Sequence, residues 1–373
     1  MEITGIEAIP IEVDFAPKSE PNGLAPYRSV TKAITSAKRT VVKLHTDTNV
    51  VGYGEILSMF EPETMVSILE NDLQKQVVGT PVENVESLVS DPTVYYMDWY
   101  PFLGGVEMAA YDALGKHLGE PVSSLIGGRY RSSVDCSYCV GVEAEAESRQ
   151  AIASAHEQGF TSLKTKVGGD RSVEADVDRI AAMYDEVDGA VGIRTDAVKT
   201  WSVEDVLQFA TELERRGVYL EYIEQPLPTH NFGAYESLRE RLRTPLAIKE
   251  DLYYPRNLSN FVRNDAIDVG VVDVVPAGGI TAVKKLAGIA GAADISLAHH
   301  CGFDLGIKTA AVLHTVASTP ELSLPADTVY YGVADRIVEE PFEFDEGSLA
   351  VPEGPGLGVT VDEGALERVS LLE

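Results

Sequence analysis

Lys164-Thr165-Lys166 places two lysines on one side of an extended segment, because side chains on a strand repeat every second residue. Downstream, Asp196, Glu224, Glu250, Asp273 and the pair His299-His300 each end an apolar run. Apolar strand ends ordinarily avoid ionisable groups, since an unpaired buried charge costs several kcal/mol. Any single one of these could be a loop charge; so many in succession point to a site. Asp196, Glu224 and Glu250 form a hard-oxygen donor set of the kind Mg²⁺ prefers, with room left for substrate oxygens. Asp251, beside Glu250, is the substitute ligand if the strand phase is off by one residue.

Two adjacent ammonium groups depress each other's pKa, and partial burial depresses it further. Lys164 and Lys166 therefore suit a general base with a second cation beside it. Asp273 and His300 can form a carboxylate–imidazole pair that fixes the ring tautomer. His299 is the rival, because adjacent strand residues face opposite ways. Lysine on one flank and His–Asp on the other would supply two proton-transfer groups. His45, His117, His156 and His314 lie within strand or helix patterns and are expected to be structural.

The elements that position these residues repeat. Apolar strand patterns at 161–167, 190–196, 220–225, 245–250, 269–275, 295–300 and 322–327 follow a strand-like Val134–Val140. Amphipathic stretches such as Ser202 to Arg216 and Thr281 to Ala293 separate them. Alternating β and α segments at this spacing call for a parallel sheet, and the number of repeats calls for closure into a TIM-type (β/α) barrel. In such a barrel the strand C-termini form the active face, where all the residues above would lie.

The preceding segment has strands at 5–13 and 39–46, a turn at Thr46-Asp47-Thr48-Asn49 and helices near 62–76 and 103–118. The expected partition is an α+β capping domain over 1–128, a barrel over 129–345 and a tail over 346–373 that returns to the cap.

Lys164-Thr165-Lys166, Asp196, Ile223-Glu224-Gln225-Pro226, Glu250, Asp273 with Gly278-Gly279, and His300 together resemble the enolase superfamily, in its mandelate racemase and glucarate dehydratase branch. The resemblance spans nearly the whole chain, including Pro355-Gly356-Leu357-Gly358. It implies a Lys or His base with Mg²⁺ stabilising an enediolate. Lys166 would be the base, Asp196, Glu224 and Glu250 the metal ligands, and Asp273 with His300 the dyad. Muconate-cycloisomerase-like and dipeptide-epimerase-like members carry a second catalytic lysine where this chain has Asp273. The run His300-Cys301-Gly302-Phe303-Asp304-Leu305-Gly306-Ile307 and the later Asp327-Thr328 look like glucarate-dehydratase relatives, in which an aspartate like Asp327 lies in the site. Glu250 departs from them, because they tend to use an amide ligand there.

The expected reaction is dehydration of an acid sugar to a 2-keto-3-deoxy acid. A racemase or epimerase on the same fold is the alternative, and a non-catalytic binding barrel the remote one. The expected partner is a small carboxylate, met at its distal end by loops 15–30 and 57–61 through Lys18, Tyr27 and Arg28. Cys136 and Cys139 lie three apart on a strand and are expected to be packed thiols rather than a redox pair.

A net charge of −29 over 373 residues opposes binding to nucleic acid or anionic membrane. No apolar run is long enough to span a bilayer, and a cytoplasmic homo-oligomer is expected. The acidic residues are spread along the chain, as in proteins adapted to high salt. Screening of repulsion among 59 carboxylates should then raise the melting temperature between low and molar KCl. A flat or falling melting temperature would leave the charge as ordinary surface solvation.

Overall fold

The computed structural model describes residues 1–20, 22–30, 32–90, 99–334 and 336–372. Near the N-terminus, Ile3–Asp14, Ser36–Thr46 and Val51–Leu57 form an antiparallel sheet in that order. Their alternating apolar residues bury one face beneath the helix Tyr100–Leu118. Gly54 and Gly105 permit that contact, since a Cβ on Gly54 would lie 2.1 Å from the Gly105 carbonyl oxygen. The helix expected at 62–76 runs over 62–77 with a π-helical turn at Ser67–Leu73.

Eight parallel strands follow: Ser133–Val140, Ser162–Lys166, Gly192–Asp196, Tyr222–Glu224, Leu246–Ile248, Val269–Val272, Ser296–His299 and Ala326–Thr328. The first seven pair in sequence, and the eighth pairs with the first through Ala326 opposite Cys136. Between the seventh and eighth, Leu324 N–H donates to Leu297 O and Leu297 N–H to Glu321 O, both at 3.1 Å. The chain therefore closes a TIM-type barrel capped by an N-terminal α+β unit. An α-helix follows each of the first seven strands, and a short 3₁₀ turn, Tyr330–Gly332, follows the eighth. Local signals set several helix starts, as where Ser202 and Asp205 cap each other reciprocally.

Strands end earlier than the apolar patterns predict. The fifth stops at Ile248 and the sixth at Val272, so Glu250 and Asp273 sit in the turns beyond. The tail also differs from expectation in its first part. Ser348–Ala350 pairs antiparallel with the beginning of the first barrel strand, and from Gly356 onward the chain returns to the cap. There Leu357 N–H donates to Asp112 at 2.8 Å, and Leu371 N–H donates to Pro10 O at 2.9 Å.

Two buried carboxylates of the cap seat it on the barrel by capping helix N-termini. Glu55 accepts from Leu305 N at 2.7 Å and Lys308 N at 2.9 Å, at the start of the seventh barrel helix, Gly306–Ala317. Glu107 accepts from Ile280 N and Thr281 N at the start of the sixth, Ile280–Gly291. Gly279 makes this approach possible, as its φ is +126° and a Cβ would meet the Glu107 carboxylate.

Burial pushes the Glu107 carboxyl up to about 7, against the pull of Thr281 and the two amides. The folded state therefore holds this proton more tightly than the unfolded chain. Its stabilising contribution is complete below about pH 4.5 and is lost as pH rises toward 7. Glu107→Gln should flatten the stability–pH curve over that window relative to wild type, as read from denaturant melts at fixed pH steps. Parallel curves for the two proteins would contradict the assignment.

Candidate active site

The C-terminal ends of the barrel strands bring most of the singled-out residues into one buried cluster. From the second strand, Lys164 donates to Glu224 Oε1 at 2.8 Å and to Asp327 Oδ2 at 2.7 Å. Lys166, two residues on and on the same face, donates to Asp196 Oδ2 at 2.5 Å. Asp196 ends the third strand, Glu224 the fourth, and Asp327 lies on the eighth. Residues at these strand ends that face the barrel axis project into the rim.

A third lysine, unremarked in the sequence, joins them. Lys249 directly follows the fifth strand, and its ammonium lies 2.6 Å from Asp196 Oδ2, 3.0 Å from Glu224 Oε1 and 3.4 Å from Glu250 Oε1. It is only 3% exposed. The strand pattern 245–250 had hidden it, because strict alternation would turn Lys249 away from Glu250. The 3₁₀ turn Glu250–Tyr253 breaks that alternation. The available signal was a lysine between an apolar run and two acids, Lys249-Glu250-Asp251.

Electrostatics follow from this crowding. Burial would push the Asp196 carboxyl up, but Lys166, Lys249 and Lys164 overcome it and hold it well below the usual carboxylate range. Glu224 is raised to about 7 by burial and by the negative charge of Asp196. Lys164 behaves contrary to the expectation of mutual depression. Although burial disfavours its charge, Asp327 and Glu224 win and hold its pKa well above the usual lysine value. Repulsion from a neighbouring ammonium still lowers it, but the surrounding carboxylates outweigh that effect.

Asp251 is not a ligand in waiting. Its oxygens accept from Gln225 Nε2 at 2.8 Å, His230 N at 2.8 Å and Asn257 Nδ2 at 2.9 Å, which brace the loops behind the rim. His300 faces the rim: its Nδ1 lies 3.0 Å from Asp273 Oδ2. His299 is buried in a backbone role, donating from Nδ1 to His300 O at 2.8 Å and accepting at Nε2 from Val274 N at 3.2 Å. Burial brings the His300 imidazole down to about 4 despite Asp273, so the ring is neutral at neutral pH. With Nδ1–H on the carboxylate, Nε2 carries the free lone pair.

Of the expected specificity residues, Tyr27 is buried at the rim, where it donates from its hydroxyl to Val140 O at 3.3 Å and meets Phe303 edge-on. Arg28 is exposed, with its backbone carbonyl taking Val142 N–H at 2.7 Å. Lys18 pairs with Glu143 at 2.7 Å, which neutralises its charge. Cys136 and Cys139 are free and buried, and burial pushes both thiols up. His314 joins Ser123 N to Leu357 O through its two ring nitrogens.

The donor chemistry at Asp196, Glu224 and Glu250 suits a hard divalent cation. Glu250 Oε2 is buried without a hydrogen-bond partner, and Glu224 Oε2 lies 2.7 Å from Lys164 outside hydrogen-bonding geometry. Among the described residues, however, no three acidic, His or Cys side chains are drawn together around one point, because the Lys249 ammonium stands among these three.

Two family profiles match the chain: the mandelate racemase / muconate lactonizing enzyme N-terminal domain over residues 12–127, and the enolase C-terminal domain-like family over residues 146–365. The chain belongs to the mandelate racemase/muconate lactonizing enzyme branch of the enolase superfamily. It is 27% identical to muconate cycloisomerase 1 of Rhodococcus opacus, over 92% of this chain and 93% of that protein. It is also 27% identical to arabinonate dehydratase of Saccharolobus solfataricus, over 87% and 89%. The crystal structure of N-succinyl Arg/Lys racemase from Bacillus cereus superposes with a TM-score of 0.90 at 25% identity, over 100% of this chain and 99% of that one. Superfamily relatives thus include cycloisomerases, dehydratases and racemases, and membership identifies an enzyme without selecting the reaction. Among the described residues, no helix is long and apolar enough to cross a membrane.

The position of Lys249 has a measurable consequence. Lys249→Met should lower the melting temperature of the metal-free protein, because Asp196 and Glu224 lose a buried counter-charge. Added Mg²⁺ should then raise the melting temperature more in the variant than in wild type, since no ammonium competes for the cage. Equal shifts in both proteins would place Lys249 outside the cation's path.

Proposed function

We propose that this enzyme is a Mg²⁺-dependent acid-sugar dehydratase, removing the C2 proton and the C3 hydroxyl of an aldonate or aldarate to give a 2-keto-3-deoxy acid. The observation that carries the reading is the Asp273–His300 pair at 3.0 Å on one flank of the carboxylates, with Lys166 on the other. A cycloisomerase resembling the muconate enzymes would have lysine in place of Asp273. Asp196, Glu224 and Glu250 would hold Mg²⁺, which when bound supplies a Lewis acid for the substrate carboxylate and charge stabilisation for the enediolate.

The chain's own groups do the proton work. His300, neutral and bare at Nε2, is poised to accept a proton, and Asp273 stabilises the imidazolium that results. Lys166 is the second group placed for proton transfer, paired with Asp196 and among the more open members of the cluster. Lys164 remains charged between Glu224 and Asp327, suited to holding a substrate carboxylate oxygen rather than moving protons. The resemblance assigns abstraction to Lys166, whereas the neutral ring and free Nε2 of His300 favour His300 as acceptor. Asp327 acts through Lys164 and Arg194, the latter at 3.5 Å.

NMR of the enzyme with its substrate in D₂O is the test, after a screen of aldonic and aldaric acids. The expected product is a keto acid with solvent deuterium at C3. Deuterium at C2 with inverted configuration and no keto acid would refute dehydration and install an epimerase. Asp196→Asn, Glu224→Gln, Lys166→Ala and His300→Asn should each abolish turnover in folded protein. Whichever of the last two retains C2 proton exchange identifies the other as the base. Full activity after exhaustive chelation would sink the Mg²⁺ assignment.

A further inference from the structure

Lys308 lies on the seventh barrel helix, 2% exposed, and no step above uses it. Its ammonium touches both oxygens of Asp273, at 2.9 Å and 3.0 Å, and Asp304 Oδ1 at 2.9 Å. Asp273 Oδ2 is thus shared between Lys308 and His300. Behind Lys308 the contacts continue into the capping unit. Arg39 Nη2 donates to Asp304 Oδ1 at 3.0 Å and also to the carbonyl of Gly302, while its Nε lies 3.5 Å from Glu55. Glu55 in turn accepts the backbone N–H of Lys308 itself.

An ammonium buried this deeply persists only where carboxylates fully compensate it. Burial alone would lower the Lys308 pKa, but Asp273 and Asp304 reverse that and raise it above the usual lysine value. Asp273, which burial would push up, is held well below the carboxylate range by Lys308 first and His300 next. A surface role, a plain helix contact or a solubility function would not place a lysine between two buried aspartates directly behind the imidazole.

We propose that Lys308 is the positioning residue of the Asp273–His300 pair: it fixes Asp273 as an oriented acceptor for His300 Nδ1–H, and the Arg39–Asp304 contact holds it there from the capping unit. The proposal rests on the reading of that pair as proton-transfer machinery. Lys308 never meets substrate; it acts through Asp273. By sharing the carboxylate it also keeps His300 from becoming strongly basic, which leaves Nε2 bare over the working pH range.

The groups facing the pair set the sign of its pH response. Asp273 faces Lys308, His300, His299 and Tyr253, and His300 faces Asp273, Lys164, Lys249 and Asp327. Removing the Lys308 charge takes away the ammonium that shares Asp273 with His300, so the imidazole becomes easier to protonate. The acid limb of the kcat profile should move to higher pH by about one unit. The experiment compares wild type, Lys308→Arg, Lys308→Met and the double variant Asp304→Asn/Lys308→Met, which removes one charge of each sign and so avoids a net buried charge.

In folded protein, both Met variants should lose kcat by roughly tenfold to a hundredfold at little change in KM. The ¹⁵N-histidine titration of His300, assigned through His300→Asn, should rise in step with the acid limb. Lys308→Arg, which keeps the cation, should restore the limb toward its wild-type position. A His300 titration and acid limb unmoved in either folded Met variant would overturn the proposal. If neither Met variant folds, wild-type ¹⁵N spectra decide: the proposal requires His300 protonated at Nδ1 and bare at Nε2 at neutral pH, and the opposite tautomer refutes it. Undiminished dehydration by His300→Asn would instead refute the underlying reading of the pair, so the two failures are distinguishable.

Discussion

The cluster at the barrel mouth depends on compensation of buried charge. Four carboxylates, Asp196, Glu224, Glu250 and Asp327, meet three ammonium groups, Lys164, Lys166 and Lys249, in a largely buried space. Deep burial makes each charge costly alone and each pairing strong. The side chains therefore hold one another in place before any substrate or cation arrives. The same crowding divides the protonation states: Asp196 stays ionised, while neighbouring Glu224 is pushed up to about 7. A chemically demanding site is thus assembled from groups that would be unstable in isolation.

Compensation extends outward into the relation between cap and barrel. Glu55 and Glu107 leave the capping unit to receive the N–H groups that barrel helices expose at their N-termini. Arg39 and Asp304 extend one of these contacts to Lys308, and Lys308 reaches Asp273. The cap is consequently joined to the catalytic face by ionic and backbone contacts as well as by apolar packing. Since each contact is buried, a small change in how the cap sits would be felt at the imidazole.

Lys249 gives the cluster its individual character. Carboxylates at the ends of three consecutive strand–turn units suit a divalent cation, but here an ammonium stands among them. A divalent cation held by these oxygens would have to share them with the Lys249 ammonium. Glu250 and Lys249 share the space only because the fifth strand ends at Ile248 and the chain turns into a 3₁₀ segment.

Much of this was legible in the sequence, because the chemistry of a barrel rim is written at regular intervals. Apolar runs ending in Lys166, Asp196, Glu224 and Asp273 announce both the strands and the face on which their last residues meet, since a strand's period fixes side-chain direction. Dyad membership was narrowed to His299 or His300 by the same rule. What alternation cannot reach is whatever happens after a strand stops. Lys249, the engagement of Asp251 behind the rim and the choice of His300 over His299 depend on turn geometry after the fifth and seventh strands. Lys308 and Arg39 were invisible for another reason: the contacts that matter, Lys308 with Asp273 and Arg39 with Asp304, join residues far apart in sequence. Nor could spacing foretell that Lys164 stays charged, since its pKa depends on Asp327 and Glu224, which only closure of the barrel brings within reach. Residue order determined which groups the site contains; folding decided which charges each must answer to, because electrostatic energy depends on distance through space rather than along the chain.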